Sequence, residues 1–498
     1  MFEYRRIGAL LLALTLAAPI AASADATAST AAPAPAPPPI VSTRFSTATV
    51  AKLRARIAAI LAAARTGELR GAHVAFLAID AKRGTLIDAV HPDDDFIPAS
   101  TFKLIVGSAS LDLLGAEHRF VTTLSSDGTR AGTALHGDLI LRGGGDPTLD
   151  GKALREAARA VARSGITRVD GALLLDDTAF RFPSALYRPG WAWDDLTYGY
   201  GAPTDALSID ENALHITVSP GAHPGSAVTL SVSPQTPSLQ IENHAITGSS
   251  EASDTIDAMR PWNDPNVVRI VGVIPQGAKA PDRFRVAVEN PQAFVGDAFL
   301  ADLEANGVAI AAGMRTDPLP PHATTIWQHR SPPLSTILAR MWQPSDNFIA
   351  EMLFRHLGGA RAERAWLRRV GIDPKTLTIV DGSGLSAYDR ITPRALVRTL
   401  QYDRALQRKA IVEAALPLSG VRGTLKDRFR DPILRGKIDA KTGSVNHVRT
   451  LAGYLQTERH GTVTFALLVN DWMDRGPGSM KRLDAVRGAI LRAIATAP

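Results

Sequence analysis

The chain has 498 residues, 45% of them hydrophobic and 21% charged, with a formal net charge of +6 and no cysteine. That length and apolar content predict two or three domains with buried cores and exclude a largely disordered chain. The missing cysteine excludes disulfides, thiol nucleophiles and thiolate metal sites, and the mild positive charge suits an anionic envelope surface without demanding nucleic acid.

The chain opens with MFEYRRIGALLLALTLAAPIAASADA: two arginines (Arg5, Arg6), an apolar run and a small-residue exit at Ala22-Ser23-Ala24. This pattern predicts a secretory signal over residues 1–24, because the run is shorter than the roughly 18 apolar residues a membrane span requires. Loss of that segment, with Glu3, Arg5 and Arg6, leaves a charge of about +5. Alternating Ala and Pro then predict an extended spacer over 25–43.

Residues 46–65 carry apolar side chains at helical spacing, and AFLAIDAKRGTLIDAV reads as two strands about a Lys82-Arg83-Gly84 turn. At PASTFKLIVG, Ser100 and Lys103 stand three residues apart at the start of an apolar helix, which places both side chains on one face. Alone, Ser100 reads first as a helix N-cap, since S-x-x-K recurs by chance. Paired with a neutral lysine it is a nucleophile beside its proton acceptor.

From about 122 to 322 the chain changes to short alternating runs (HGDLILRG, GALLLDD, ALHITVSP, AVTLSVSP, RFRVAVEN) cut by Gly, Pro, Asn and Asp, with one helical stretch, LREAARAVARSG. This predicts inserted, mainly β modules. Beyond them, Ser345-Asp346-Asn347 follows Pro344 in a turn between two helical runs, where it reads either as helix capping or as a hydroxyl and an amide presented to a substrate. Three strand-like runs follow, KIDAKTGSV, VRTLAGYLQT and TVTFALLVND, then a basic amphipathic helix near the C-terminus. The first contains Lys441-Thr442-Gly443-Ser444, whose glycine permits close approach of a ligand to an edge strand.

S-x-x-K, S-D-N and K-T-G in that order form the signature of class A β-lactamases and penicillin-binding proteins. The chain resembles the D-alanyl-D-alanine carboxypeptidases and endopeptidases of the class C, low-molecular-mass penicillin-binding proteins. Four further stretches carry that resemblance: LRGGGDPTL, PGWAWDDLTYGYGAPTDALSIDEN, DGSGLSAYDRITP and LSGVRGTLKDRF.

The resemblance implies an α+β transpeptidase-like domain, an antiparallel sheet flanked by helices, with two inserted mainly β domains. The expected limits are 44–121 and 323–498 for the catalytic part, 122–145 and 222–322 for the first insert, and 146–221 for a second nested in it. It implies a periplasmic serine hydrolase acting on peptidoglycan peptides, acylated by β-lactam antibiotics, with no cofactor or metal and no nucleic-acid partner. Peripheral contact with a membrane surface is compatible with the charge, and oligomeric state is left open.

Carried onto this sequence, the resemblance makes Ser100 the nucleophile and Lys103 its proton acceptor, its pKa lowered by burial and by the Lys441 charge. Ser345 passes the proton to the leaving amine, Asn347 binds the substrate amide, and Lys441 with Thr442 holds the terminal carboxylate. The amides of Ser100 and Ser444, beside Gly443, form the oxyanion hole. Trp191, Asp194, Ser386 and Arg390 are candidates for contacting the diamino-acid side chain, although WDD and GLS also read as packing and turn features. Ala387-Tyr388 stands where the family often has a basic or polar residue, which leaves that side-chain preference open.

The alternatives are a β-lactamase, disfavoured because no E-x-x-L-N stretch lies between Ser100 and Ser345, and a non-catalytic peptidoglycan-binding scaffold, disfavoured because all three motifs are intact. His91-Pro92-Asp93-Asp94-Asp95 reads as a solvated turn and Gly143-Gly144-Gly145-Asp146 as a tight one. The twelve histidines contain no H-x-x-x-H pair with an acid, so no metal is expected.

Overall fold

The structure is a computed structural model that describes residues 45–180, 189–406 and 408–498. The expected signal and the expected spacer lie outside the described residues. Helix α1 (Thr47–Arg65) starts at Ser46, whose hydroxyl accepts from the Thr49 amide, and buries Leu53, Ile57, Leu61 and Ala64 at the spacing that lines one helical face. Strands β1 (His73–Asp80) and β2 (Leu86–Val90) form the expected hairpin. The Asp80 carboxylate fixes its turn by accepting from the amides of Lys82 and Arg83.

Three more strands, β3 (Ile438–Val445), β4 (Val448–Gln456) and β5 (Thr462–Asn470), complete an antiparallel sheet in the order β2-β1-β5-β4-β3. Chain ends meet in this sheet because β1 pairs along its length with β5. Every residue of β5 is buried, so the sheet is covered on both faces. On one face, α1 and the C-terminal helix share an apolar cluster with Phe76, Leu451, Phe465 and Leu467. Each such side chain contributes about 1.5–3 kcal/mol by leaving water. On the other face lie the helix after Ser100 and the helix Pro393–Ala405, whose Leu400 carbonyl accepts from the buried Tyr454 hydroxyl of β4.

Strand β3 lies at the sheet edge. Its first half is capped from outside: Ser419 donates to the Ile438 carbonyl and Ala440 donates to Pro417. Polar groups alternate between the two sides of a strand, so the backbone of Thr442 and Ser444 also points to that outer side, beyond the cap.

Between the first helices and the rest of the catalytic part lies the mainly β insertion. Its largest sheet runs Met314–Thr316, Leu173–Asp176, Leu139–Arg142, Val121–Ser126, Thr324–Arg330. The expected boundaries cut through this sheet, giving Leu173–Asp176 to the nested insert and Thr324–Arg330 to the catalytic part. A second sheet joins Ala213–Ser219 to Thr229–Ser233 and Asp282–Ala287, across the expected limit at 221. Pairing between distant segments sets sheet membership, and local alternation does not encode it. The insertion also has a second helix, Pro291–Ala305, beside the expected one at Gly151–Arg163.

Candidate active site

Ser100 lies in a single 3₁₀ turn, Ala99–Phe102, that leads into α2 (Lys103–Leu114). No side chain caps that turn, so the serine hydroxyl is not used as an N-cap. The turn is pinned to the sheet, because the Pro98 carbonyl accepts from the hydroxyls of Thr101 and Thr450, at 2.6 and 2.7 Å. At Gly107, one turn along α2, an added Cβ would sit 2.2 Å from Trp342 Cζ2. Glycine therefore lets α3 (Leu334–Trp342) approach, and the Trp342 indole donates to the Lys103 carbonyl at 2.8 Å.

Helix α3 ends at the Ser345-Asp346-Asn347 turn, and α4 (Asn347–Leu357) begins there with Asp346 as its N-cap, accepting from Ile349 at 2.9 Å. Ser345 takes φ 70°, a left-handed conformation that costs a non-glycine residue energy and is commonest at functional sites. The turn thus presents Ser345 and Asn347 to the cleft while Asp346 holds the helix.

Lys103 is fully buried, and its Nζ lies 2.8 Å from Ser100 Oγ, 2.7 Å from Asn347 Oδ1 and 2.8 Å from the Ser383 carbonyl. Two of these partners can only accept, and Asn347 Nδ2 donates to the Tyr200 carbonyl, which fixes the amide orientation. A neutral lysine satisfies both acceptors with its two N–H groups, leaving its lone pair for the Ser100 hydroxyl. Burial lowers the Lys103 pKa to about 8, against the pull of Asp381, Asp346 and Glu351, which favour the charged form.

Lys441, also fully buried, donates to Ser345 Oγ at 2.7 Å and to the Thr442 carbonyl at 2.8 Å. Burial, and secondarily the Lys103 charge, hold its pKa well below the ordinary lysine value. Burial, one of the two expected causes, is thus the main one at both lysines, and at Lys103 the charges of Asp381, Asp346 and Glu351 oppose it. Thr442 shares a 2.7 Å hydroxyl contact with Thr424. At Gly443 an added Cβ would meet Thr450 Oγ1 at 2.1 Å and the Ser100 amide nitrogen at 3.0 Å. Only a glycine lets β3 lie against the Ser100 turn.

These groups open on a cleft of about 680 Å³, lined by Ser100, Ser345, Asn347, Thr442 and Ser444. Trp191, Asp194, Ser386 and Arg390 do not line it. The Trp191 indole donates to Asp381, and the buried Ser386 hydroxyl donates to the Pro189 carbonyl, each at 2.7 Å. Arg390 donates to the carbonyls of Ala387 and Asp389 in its own loop, and Asp194 is exposed at the start of a 3₁₀ turn. Three of the four thus brace the loops at 189–191 and 381–390. Asp195, Tyr200, Arg428 and Arg449 line the cleft instead. Asp195 accepts from the Tyr200 hydroxyl at 2.9 Å, and burial raises its pKa.

Two supports of Lys103 were not anticipated from sequence, Ser383 and the buried Glu351, which accepts from the amides of Gly382 and Ser383 and so aims the Ser383 carbonyl. Glu351 stands four residues after Asn347, on the same helical face, which is the one local signal it carries.

With three serine and lysine motifs converging on one cleft, the chain can be compared with known proteins. Residues 53–488 match the D-Ala-D-Ala carboxypeptidase 3 (S13) family. The chain belongs to that family. This S13 chain is 30% identical over 467 residues to the D-alanyl-D-alanine carboxypeptidase of Actinomadura sp. (strain R39), covering 89% of this chain and 85% of that relative. To the D-alanyl-D-alanine carboxypeptidase DacB of Haemophilus influenzae it is 28% identical over 416 residues, 81% of this chain and 86% of the other. The crystal structure of penicillin binding protein 4 (dacB) from Haemophilus influenzae superposes with a TM-score of 0.77 at 26% identity, covering 89% of this S13 chain and 98% of that one. The catalytic sheet, its helices and the β insertion are thus the penicillin-binding fold expected from sequence.

Proposed function

We propose that the protein is a serine D-Ala-D-Ala carboxypeptidase that acts on peptidoglycan stem peptides through an acyl-enzyme on Ser100. The observation that carries this reading is the setting of Lys103 Nζ, 2.8 Å from Ser100 Oγ with two obligate acceptors on its other side. Ser100 Oγ attacks the carbonyl of the penultimate D-alanine while Lys103 takes the hydroxyl proton. The amides of Ser100 and Ser444 receive the oxyanion, a reading supported by the close approach of Gly443, next to Ser444, to the Ser100 amide.

Collapse of the tetrahedral intermediate breaks the C–N bond, and the leaving amine takes a proton through Ser345, which Lys441 contacts at 2.7 Å. Water then attacks the ester, returning Ser100 and releasing the shortened peptide. Asn347 binds the peptide amide, while Lys441 and Thr442 engage the terminal carboxylate, whose charge favours a protonated Lys441 despite its burial. The cleft arginines Arg428 and Arg449 add positive potential where that carboxylate enters. A β-lactam presents a strained amide and a carboxylate to the same groups and acylates the same serine.

Endopeptidase action uses the same acylation with the amine of a cross-linked stem as leaving group, and the 680 Å³ cleft is open enough for either. Export of the mature chain to the periplasm, through the predicted signal, brings it to this substrate. Chromatography of products from a muramyl pentapeptide and from a cross-linked dimer tests the reading. The expected outcome is release of D-alanine from the pentapeptide by the wild type and none by Ser100→Ala. Equal release by both proteins, or none by a folded wild type on either substrate, contradicts it. Cleavage of the dimer alone assigns the endopeptidase reaction.

A further inference from the structure

The loop before Ser100 carries a second group of polar side chains, remote in kind from the serine and lysine chemistry. His73 opens β1, and His91 and Asp94 lie in the turn that follows β2. His91 Nδ1 is 2.8 Å from Asp94 Oδ2, and His73 Nε2 is 3.7 Å from the same oxygen. One donor atom from each residue lies within 4.8 Å of the other two. Donors bound at about 2.0–2.1 Å around a tetrahedral zinc ion stand roughly 3.3 Å apart, so small rotations bring all three to one centre.

The setting is built before any ion arrives. The His73 ring stacks on Phe96 with centroids 4.3 Å apart and planes at 24°. The intervening turn is held from the helix Pro393–Ala405, where Arg394 makes a two-pronged bond to Asp93 at 2.5 and 2.7 Å and its amide donates to the Pro92 carbonyl. Phe96 bridges to Ile391, and His91 sits at φ 47°, a left-handed conformation that turns its ring toward Asp94. His91 and Asp94 are exposed, so solvent has access to the remaining coordination position.

We infer that His73, His91 and Asp94 form a binding site for a divalent transition-metal ion, zinc in the first place. Two imidazole nitrogens and one carboxylate oxygen are the donor set that favours zinc over magnesium or calcium, which prefer oxygen donors throughout. Binding replaces the His91–Asp94 hydrogen bond: a neutral His91 keeps its one ring proton on Nε2 while Nδ1 faces the ion, and only an imidazolium releases a proton. The ion ties the start of β1 to the segment that continues through Ile97 to Ser100. Ile97 lines the catalytic cleft, and its amide and carbonyl both bond the Asn470 side chain, at 2.8 and 3.2 Å. The site therefore clamps one rim of the cleft without touching the reacting groups.

Equilibrium dialysis of untagged, chelator-stripped protein against zinc, with metal content measured per chain, tests this. The wild type retains one equivalent, and its melting temperature rises with zinc concentration. His73→Gln and His91→Gln each lose that equivalent, whereas Asp95→Asn, outside the cluster, keeps it. Ser100→Ala also keeps it, which separates this inference from the assignment of the active site. Absence of stoichiometric zinc in the wild type, or retention of it by both histidine variants, overturns the proposal.

Discussion

At the residue scale, the central feature is a lysine poised between charge states. Lys103 at about 8 is mostly protonated at pH 7, yet a usable fraction is neutral. Because only the neutral form can accept the Ser100 proton, the acylation rate rises as pH increases toward 8, by about tenfold per unit below it, and levels above. The second-order rate constant for acylation, followed from pH 6 to pH 9, checks this. A flat profile contradicts a Lys103 base. Much of this site is legible in sequence because S-x-x-K puts its two residues on one helical face. Glu351 and Ser383 are not, since they meet Lys103 only after α4 and the 381–386 loop pack together. Asp194 and Asp195 show the limit most directly: the 3₁₀ turn that decides which acid faces the cleft packs on the strands Asp257–Met259 and Asp282–Ala287 of the same insertion, far along the chain, and the WDD pattern is the same for both.

At the scale of elements, glycines set the approach of strands and helices. Gly443 lets the edge strand β3 lie beside the Ser100 turn, and an alanine there meets the Thr450 hydroxyl and the Ser100 amide. Gly443→Ala is expected to reduce acylation by about 10²–10³, the cost of losing one oxyanion donor. Far-ultraviolet circular dichroism should be unchanged, because the rest of the sheet is untouched. Full activity in this variant would remove the Ser444 amide from the proposed oxyanion hole. The motif glycine is thus visible in sequence, but its neighbour Thr450 on β4 is not, being brought there by strand register. The same contrast holds for helices: Gly151–Arg163 shows a strong apolar stripe, whereas Pro291–Ala305 is apolar around much of its surface and announces itself chiefly through the Asn290-Pro291 start.

For the whole molecule, the insertion contributes to the catalytic cleft. Tyr200 accepts from Asn347 Nδ2 through its carbonyl, Arg355 of α4 donates to the Thr204 carbonyl, and burial, with the Glu211 charge adding to it, raises the Asp346 pKa to about 7. Composition and alternation are enough to mark the insertion as mainly β, but its internal pairing depends on which distant strands meet, and local alternation does not encode that. Among the described residues no helix is long and apolar enough to cross a membrane. The proposed function makes Ser100 the nucleophile, and intact-protein mass measurement after exposure to benzylpenicillin tests that directly. The expected result is one covalent adduct of the whole penicillin on the wild type, localised by digestion to the peptide containing Ser100, and none on a folded Ser100→Ala variant. An adduct of equal yield on Ser100→Ala, or none on the wild type, would contradict it.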